Sequence, residues 1–106
     1  MDKREAINIA RAYIELISDK YDIKQTFLFG SYAKGTNHED SDIDIAVVVN
    51  DSSDIIDTQI ELMKLRRKID LRIEPHPFKM ADFTKNNPVV NEILKHGIAI
   101  GTPIFA

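Results

Sequence analysis

The sequence predicts an α/β layer protein, a single small mixed β-sheet with helices packed mainly on one face. Three observations carry that expectation. Apolar residues recur at helical spacing near the start, in the middle and near the end of the chain. Short β-favouring runs alternate with those stretches. The 106 residues suffice for one hydrophobic core, so residues 1–106 are read as one domain.

Residues 2–19 read as a helix, with Ala6, Ile9, Ala10, Tyr13, Leu16 and Ile17 on one face. Residues 26–29 form a β-favouring run that stops at Gly30. Residues 31–35 suit a short helical turn, and 36–40 are a polar loop. The clearest strand is 42–49, followed by the turn-like Asn50-Asp51-Ser52-Ser53. Residues 54–67 return to helix, with Ile56, Ile60 and Met63 on the expected buried face. Residues 69–74 alternate apolar and polar and read as a strand, stopped by Pro75 and Pro77. Asn87 and Pro88 open a helix as cap and first-turn residue. Val89, Val90, Ile93 and Leu94 supply its apolar face, and Gly97 ends it. Ile98-Ala99-Ile100 add a short last strand.

Composition narrows the function. A hydrophobic fraction of 43% is an ordinary globular value and excludes general disorder. The net charge of −3 disfavours a bulk electrostatic grip on nucleic acid. With no cysteine, disulfides and thiolate metal sites are excluded, and a reducing compartment is suited. No apolar run approaches the roughly 20 residues of a membrane span. Met1-Asp2-Lys3-Arg4-Glu5 lacks the apolar core of a signal peptide. The expectation is a cytoplasmic protein.

The chemistry concentrates in residues 29–45. Asp42 and Asp44 alternate with apolar residues, so both project from one strand face while Ile43, Ile45, Val47 and Val49 project from the other. Like charges that close repel, and a strand ordinarily avoids them. A hard divalent cation removes the penalty, and Mg²⁺ favours one or two carboxylates with phosphates and water. Asp70, Arg72 and Glu74 share one face of the next expected strand. Asp70 or Glu74 can then complete a three-acid cluster, able to place two metals for displacement at phosphorus. Upstream, Gly30 lets the backbone approach an anion. Ser31 offers a hydroxyl, and the free N–H groups of the following turn add donors. Lys34 either neutralises phosphate or faces water. Ser41 shapes the turn into the strand. A Gly-Ser pair alone is weak, and the phosphate loop Gly-x-x-x-x-Gly-Lys-Ser/Thr is absent. The combination is what makes it specific.

Gly30-Ser31-x-Ala33-Lys34-Gly35, followed by Ser41-Asp42-Ile43-Asp44-Ile45, resembles the signature of the polymerase β-like nucleotidyltransferase superfamily. The small size is similar to its minimal branch. Lys34 stands where family members often carry Arg, which keeps the charge but loses the bidentate fork. Asp70, in Lys68-Ile69-Asp70-Leu71, matches the family's third acid, although Glu74 shares its face. The resemblance implies a nucleotidyltransferase-like fold and a nucleoside triphosphate, usually ATP, bound with two Mg²⁺. Asp42, Asp44 and Asp70 are the implied catalytic and metal residues, and Gly30, Ser31, Lys34 and Ser41 the nucleotide-binding ones. It further implies transfer of AMP to a tyrosine hydroxyl of a helical HEPN toxin, with this chain as antitoxin in a hetero-oligomer. The alternatives are neutralisation of a partner by contact alone, and transfer to a small molecule or RNA. The short chain offers no segment to position a small acceptor, and the acidic balance weighs against RNA.

Three further features carry weaker expectations. His76, between two prolines, reads as a loop residue. The basic run Lys64, Arg66, Arg67, Lys68 reads as a solvated helix end favoured by the helix dipole. Tyr32 falls inside the glycine turn, near where a nucleotide would lie.

Overall fold

Asp2 opens helix α1 (Lys3–Ser18), its carboxylate accepting from the Glu5 N–H at 2.9 Å. The computed structural model describes residues 1–100. Ala6, Ala10, Tyr13, Ile14 and Ile17 are the buried residues of α1, while Ile9 and Leu16 lie half-buried at its margins. The Tyr13 hydroxyl donates to the Leu62 carbonyl at 2.7 Å, so this helix is tied to the middle of the chain. Burial pushes the Tyr13 pKa up.

Strand β1 (Ile23–Phe29) begins three residues before the expected start, then passes through Gly30 into helix α2 (Ser31–Lys34). Strand β2 (Ile43–Val49), helix α3 (Ile55–Leu65) and strand β3 (Ile73–Lys79) form a parallel crossover unit. Helix α4 (Pro88–His96) leads to strand β4 (Ile98–Ala99). Asn87 caps α4 by accepting from the Val89 N–H at 2.9 Å. The sheet order is β3-β2-β1-β4, with β1 antiparallel to both β2 and β4. It is the mixed four-stranded sheet of an α/β protein, as the pattern predicts.

Ile43, Ile45, Val47 and Val49 project into a core shared with α1, Leu28, Leu62 and Ile73. That leaves Asp44, Ala46 and Val48 on the opposite face.

Two expectations fail. In α3 the inward residues are Thr58, Leu62 and Leu65, whereas Ile56 is 74% and Ile60 50% exposed. The helix is apolar on more than one side, and Tyr13 and β3 select the Leu62 side. Similarly, α4 buries Val90 and Ile93 but leaves Val89 and Leu94 partly exposed.

The second failure concerns β3. The strand does not stop at Pro75; it starts at Ile73 and runs through Pro75 and Pro77. It tolerates them because it is an edge. The Arg72 carbonyl accepts from the Ile43 N–H at 2.8 Å, so even-numbered residues face β2. The odd-numbered residues therefore turn their backbone groups outward, where proline's missing donor costs no ladder bond. Two of the outward carbonyls are covered: Ile73 accepts from Arg66 at 3.0 Å and Pro75 from Gln59 at 3.1 Å.

Candidate functional site

Register sets the site. Phe29 pairs with Asp44 and Asp44 with Glu74, forming one row across three strands. The next row is Phe27, Ala46 and His76, and the one after joins Gln25, Val48 and Phe78. Aligned residues share a face, so Asp44, Glu74 and His76 all project from the side opposite the main core. Phe83 stacks on Phe27 at 5.6 Å and meets Phe78 edge-on at 5.5 Å, covering the far end of this face. The carboxylates occupy the other end.

Gly30 adopts φ 75°, ψ −152°, a region open essentially only to glycine. A Cβ placed there would lie 2.3 Å from Asp44 Oδ2. The missing side chain thus lets the turn backbone approach the carboxylate. Ser31 opens α2 immediately afterwards, and Gly35 closes it in the left-handed conformation with φ 77°. The Thr36 N–H returns to the Ser31 carbonyl at 3.0 Å, fixing the loop.

Asp42 is exposed, one residue before β2. Asp44 is half-buried, and its Oδ1 accepts from His76 Nε2 at 3.1 Å. Ser41 is buried, and its Oγ accepts the His38 N–H at 2.9 Å. It shapes the entry to β2. Lys34 lies 3.1 Å from Glu92 of α4, so its ammonium is held at the rim of the turn. Tyr32 lies within the turn, but its side chain is fully buried in the core.

Asp70 is not on β3. It sits in the turn before the strand, where its carboxylate takes the Arg72 guanidinium at 2.9 and 2.7 Å and the Arg72 N–H at 2.9 Å. The expected shared face of Asp70, Arg72 and Glu74 therefore does not form, because the strand begins three residues later. Glu74, in register with Asp44, lies 3.9 Å from Arg66 Nη1. Arg66 is thus a brace between α3 and β3, not a freely solvated helix end.

Among the described residues, no group of three or more His, Asp or Glu side chains converges into a ready metal cage. The donor set is nonetheless hard oxygen throughout. Mg²⁺ is usually held by one or two protein carboxylates with phosphates and water. Asp44 and Glu74 in register, with Asp42 one step ahead, fit that requirement.

The Arg72 guanidinium holds the Asp70 carboxyl below the usual carboxylate range, with burial opposing. A pKa depressed by folding stabilises the native state above the unfolded value. That stabilisation disappears as pH falls through the folded pKa. Arg72→Ala is therefore expected to be less stable than wild type at neutral pH. The gap should close on acidification below about pH 4, the ordinary Asp range. Urea unfolding followed by circular dichroism at a series of pH values measures it. A gap unchanged into strong acid would contradict the assignment.

The sequence pointed to Gly30, Ser31, Asp42 and Asp44, but it favoured a loop residue without a chemical role for His76 and a solvated helix end for Arg66. Its one clue to His76 was the two-residue spacing of Pro75 and Pro77, which leaves Glu74, His76 and Phe78 in alternation.

The family described as polymerase beta, nucleotidyltransferase matches residues 12–102. Over 49 residues the chain is 43% identical to a Methanocaldococcus jannaschii protein provisionally named a protein adenylyltransferase, covering 46% of this chain and 49% of that protein. Over 62 residues it is 39% identical to the protein adenylyltransferase MntA of Shewanella oneidensis, covering 58% and 45% respectively. The chain thus spans about half the length of the curated relatives it matches. Its fold aligns with a chain from a crystal structure of a toxin–antitoxin with AMP-PNP. The TM-score is 0.66 and the identity 28%, over 92% of this chain and 73% of that one. No helix among the described residues is long and apolar enough to cross a membrane.

Proposed function

This chain belongs to the polymerase beta nucleotidyltransferase family, and from that premise we propose that it transfers AMP from ATP to a hydroxyl of a partner protein. The acceptor we assign is a tyrosine of a cognate HEPN toxin, so that the chain acts as an antitoxin. One observation carries the reading: Gly30 brings a bare backbone turn against Asp44, which lies in register with Glu74. A phosphate-binding turn and a carboxylate row thereby share one end of the sheet. The names of the relatives, a protein adenylyltransferase and a toxin–antitoxin with AMP-PNP, agree with it.

In this reading Gly30 and Ser31 hold the triphosphate through backbone N–H groups and the Ser31 hydroxyl. Lys34 and Ser41 support the turn from its rim and its exit. Asp42, Asp44 and Glu74 are the residues that would hold two Mg²⁺, and Glu74 replaces Asp70 as the third acid. When bound, the ions neutralise phosphate charge and lower the pKa of the acceptor hydroxyl. The acceptor oxygen bonds to the α-phosphorus as the bond to the bridging oxygen breaks. Pyrophosphate leaves with that electron pair, and the hydroxyl proton passes to a nearby carboxylate or to water.

The test is transfer of label from α-labelled ATP, with Mg²⁺, to the proposed toxin partner. Labelling by the wild type, abolished in Asp42→Asn/Asp44→Asn, is the expected result. No labelling of the toxin by the wild type overturns the enzymatic reading. If the double variant still neutralises the toxin fully, contact alone accounts for protection.

A further inference from the structure

We infer that His76 is a positioning residue that sets the rotation of the Asp44 carboxylate and so decides which oxygen faces the phosphate turn. The inference rests on the nucleotidyltransferase reading, because it concerns the same carboxylate.

His76 belongs to the second row of the site face, yet it reaches back to the first. Its Nε2 lies 3.1 Å from Asp44 Oδ1. A carboxylate only accepts, so Nε2 carries the hydrogen. The ring is fixed from a second side by Phe29, which meets it edge-to-face at 4.9 Å and 65°. Phe29 is itself the β1 partner of Asp44. Ala46, the β2 residue beside His76, is too small to hold the ring off. The backbone is fixed as well, since Pro75 and Pro77 restrict φ on both sides.

The two Asp44 oxygens are therefore different. Oδ1 is engaged by the imidazole, while Oδ2 is the atom that a Gly30 Cβ would strike. The terminal torsion of an aspartate is broad and intrinsically weakly defined. Something has to fix it if one oxygen is to face the triphosphate consistently. Among the described residues, His76 is the only side chain hydrogen-bonded to Asp44. A hydrogen-bond partner of a ligating group acts through that group, and its loss typically lowers metal affinity or activity roughly 10–100-fold.

A purely structural role would appear as lost stability with metal affinity retained. The variants are His76→Ala and His76→Gln, the latter keeping an amide N–H near the position of Nε2. Mn²⁺ binding is measured by electron paramagnetic resonance with AMP-PNP present, alongside urea unfolding and the transfer assay. His76→Ala is expected to bind Mn²⁺ roughly 10–100-fold more weakly, with kcat reduced and the KM for the acceptor unchanged. His76→Gln is expected to recover most of both. Wild-type Mn²⁺ affinity in His76→Ala overturns the inference. So does a failure of His76→Gln to rescue while folded, which would make the imidazole a direct ligand. If the wild type labels no toxin yet its Mn²⁺ affinity depends on His76 in this way, the positioning role stands and the proposed reaction falls.

Discussion

Asp44→Asn is expected to lower nucleotidyl transfer about a thousandfold while leaving the fold intact. Metal-assisted stabilisation of charge in phosphoryl chemistry is worth several kcal/mol, and each ~1.4 kcal/mol is a factor of ten in rate. The exchange is isosteric, so β2 keeps its packing. Asn Oδ1 still accepts from His76, and one of two like charges in register with Glu74 is removed. The melting temperature should therefore hold or rise slightly. Transfer of α-label and a thermal melt, run on the same preparation, separate the two quantities. A variant within tenfold of wild-type rate would remove Asp44 from the reaction.

Gly30→Ala is expected to lose both stability and activity. The φ of 75° with ψ of −152° is strained for any L residue, at a cost of about 1–3 kcal/mol. For a domain of this size that is a drop of roughly 4–8 °C per kcal/mol. The new methyl would also lie 2.3 Å from Asp44 Oδ2, so the carboxylate must swing away from the turn. Gly35→Ala is the matched control. Its φ is 77°, so alanine is strained there too, but nothing lies within 4 Å of its added Cβ. Gly35→Ala should lose stability and retain transfer, measured under conditions where both variants remain folded. Equal loss of activity in the two would show that turn strain alone, and not the approach to Asp44, controls the site.

The order of elements was legible because it rests on local features: helical spacing, alternation, the Asn87 cap and the stop at Gly30. Gly30 and Asp44 were legible because both devices lie within one short stretch. Helix α3 was not, since Ile55, Ile56, Ile60, Leu62, Met63 and Leu65 place apolar groups on several sides. Only tertiary partners choose among them, and a hydroxyl from α1 chose the Leu62 side. Pro75 and Pro77 misled because proline forbids a central strand but not an edge. Whether β3 is an edge depends on the sheet order, which is not a local property. The same shift moved Asp70 off the strand and brought Glu74 and His76 alongside β2. Asp70 then found a closer partner in Arg72.

The outward rim of β3 has a consequence for how another polypeptide can reach the carboxylates. Two of its backbone donors are replaced by proline rings, and two of its acceptors are occupied by Gln59 and Arg66. An incoming extended segment finds no ladder to join there, so it cannot dock as a fifth strand on that side. In the proposed reaction an acceptor side chain would instead descend onto the open face of the sheet, above Asp44 and Glu74. Its specificity would then rest on side-chain shape and charge rather than on backbone pairing. An edge blocked in this way also resists pairing with another copy of the chain along β3, while the carboxylate end of the face stays open to a guest.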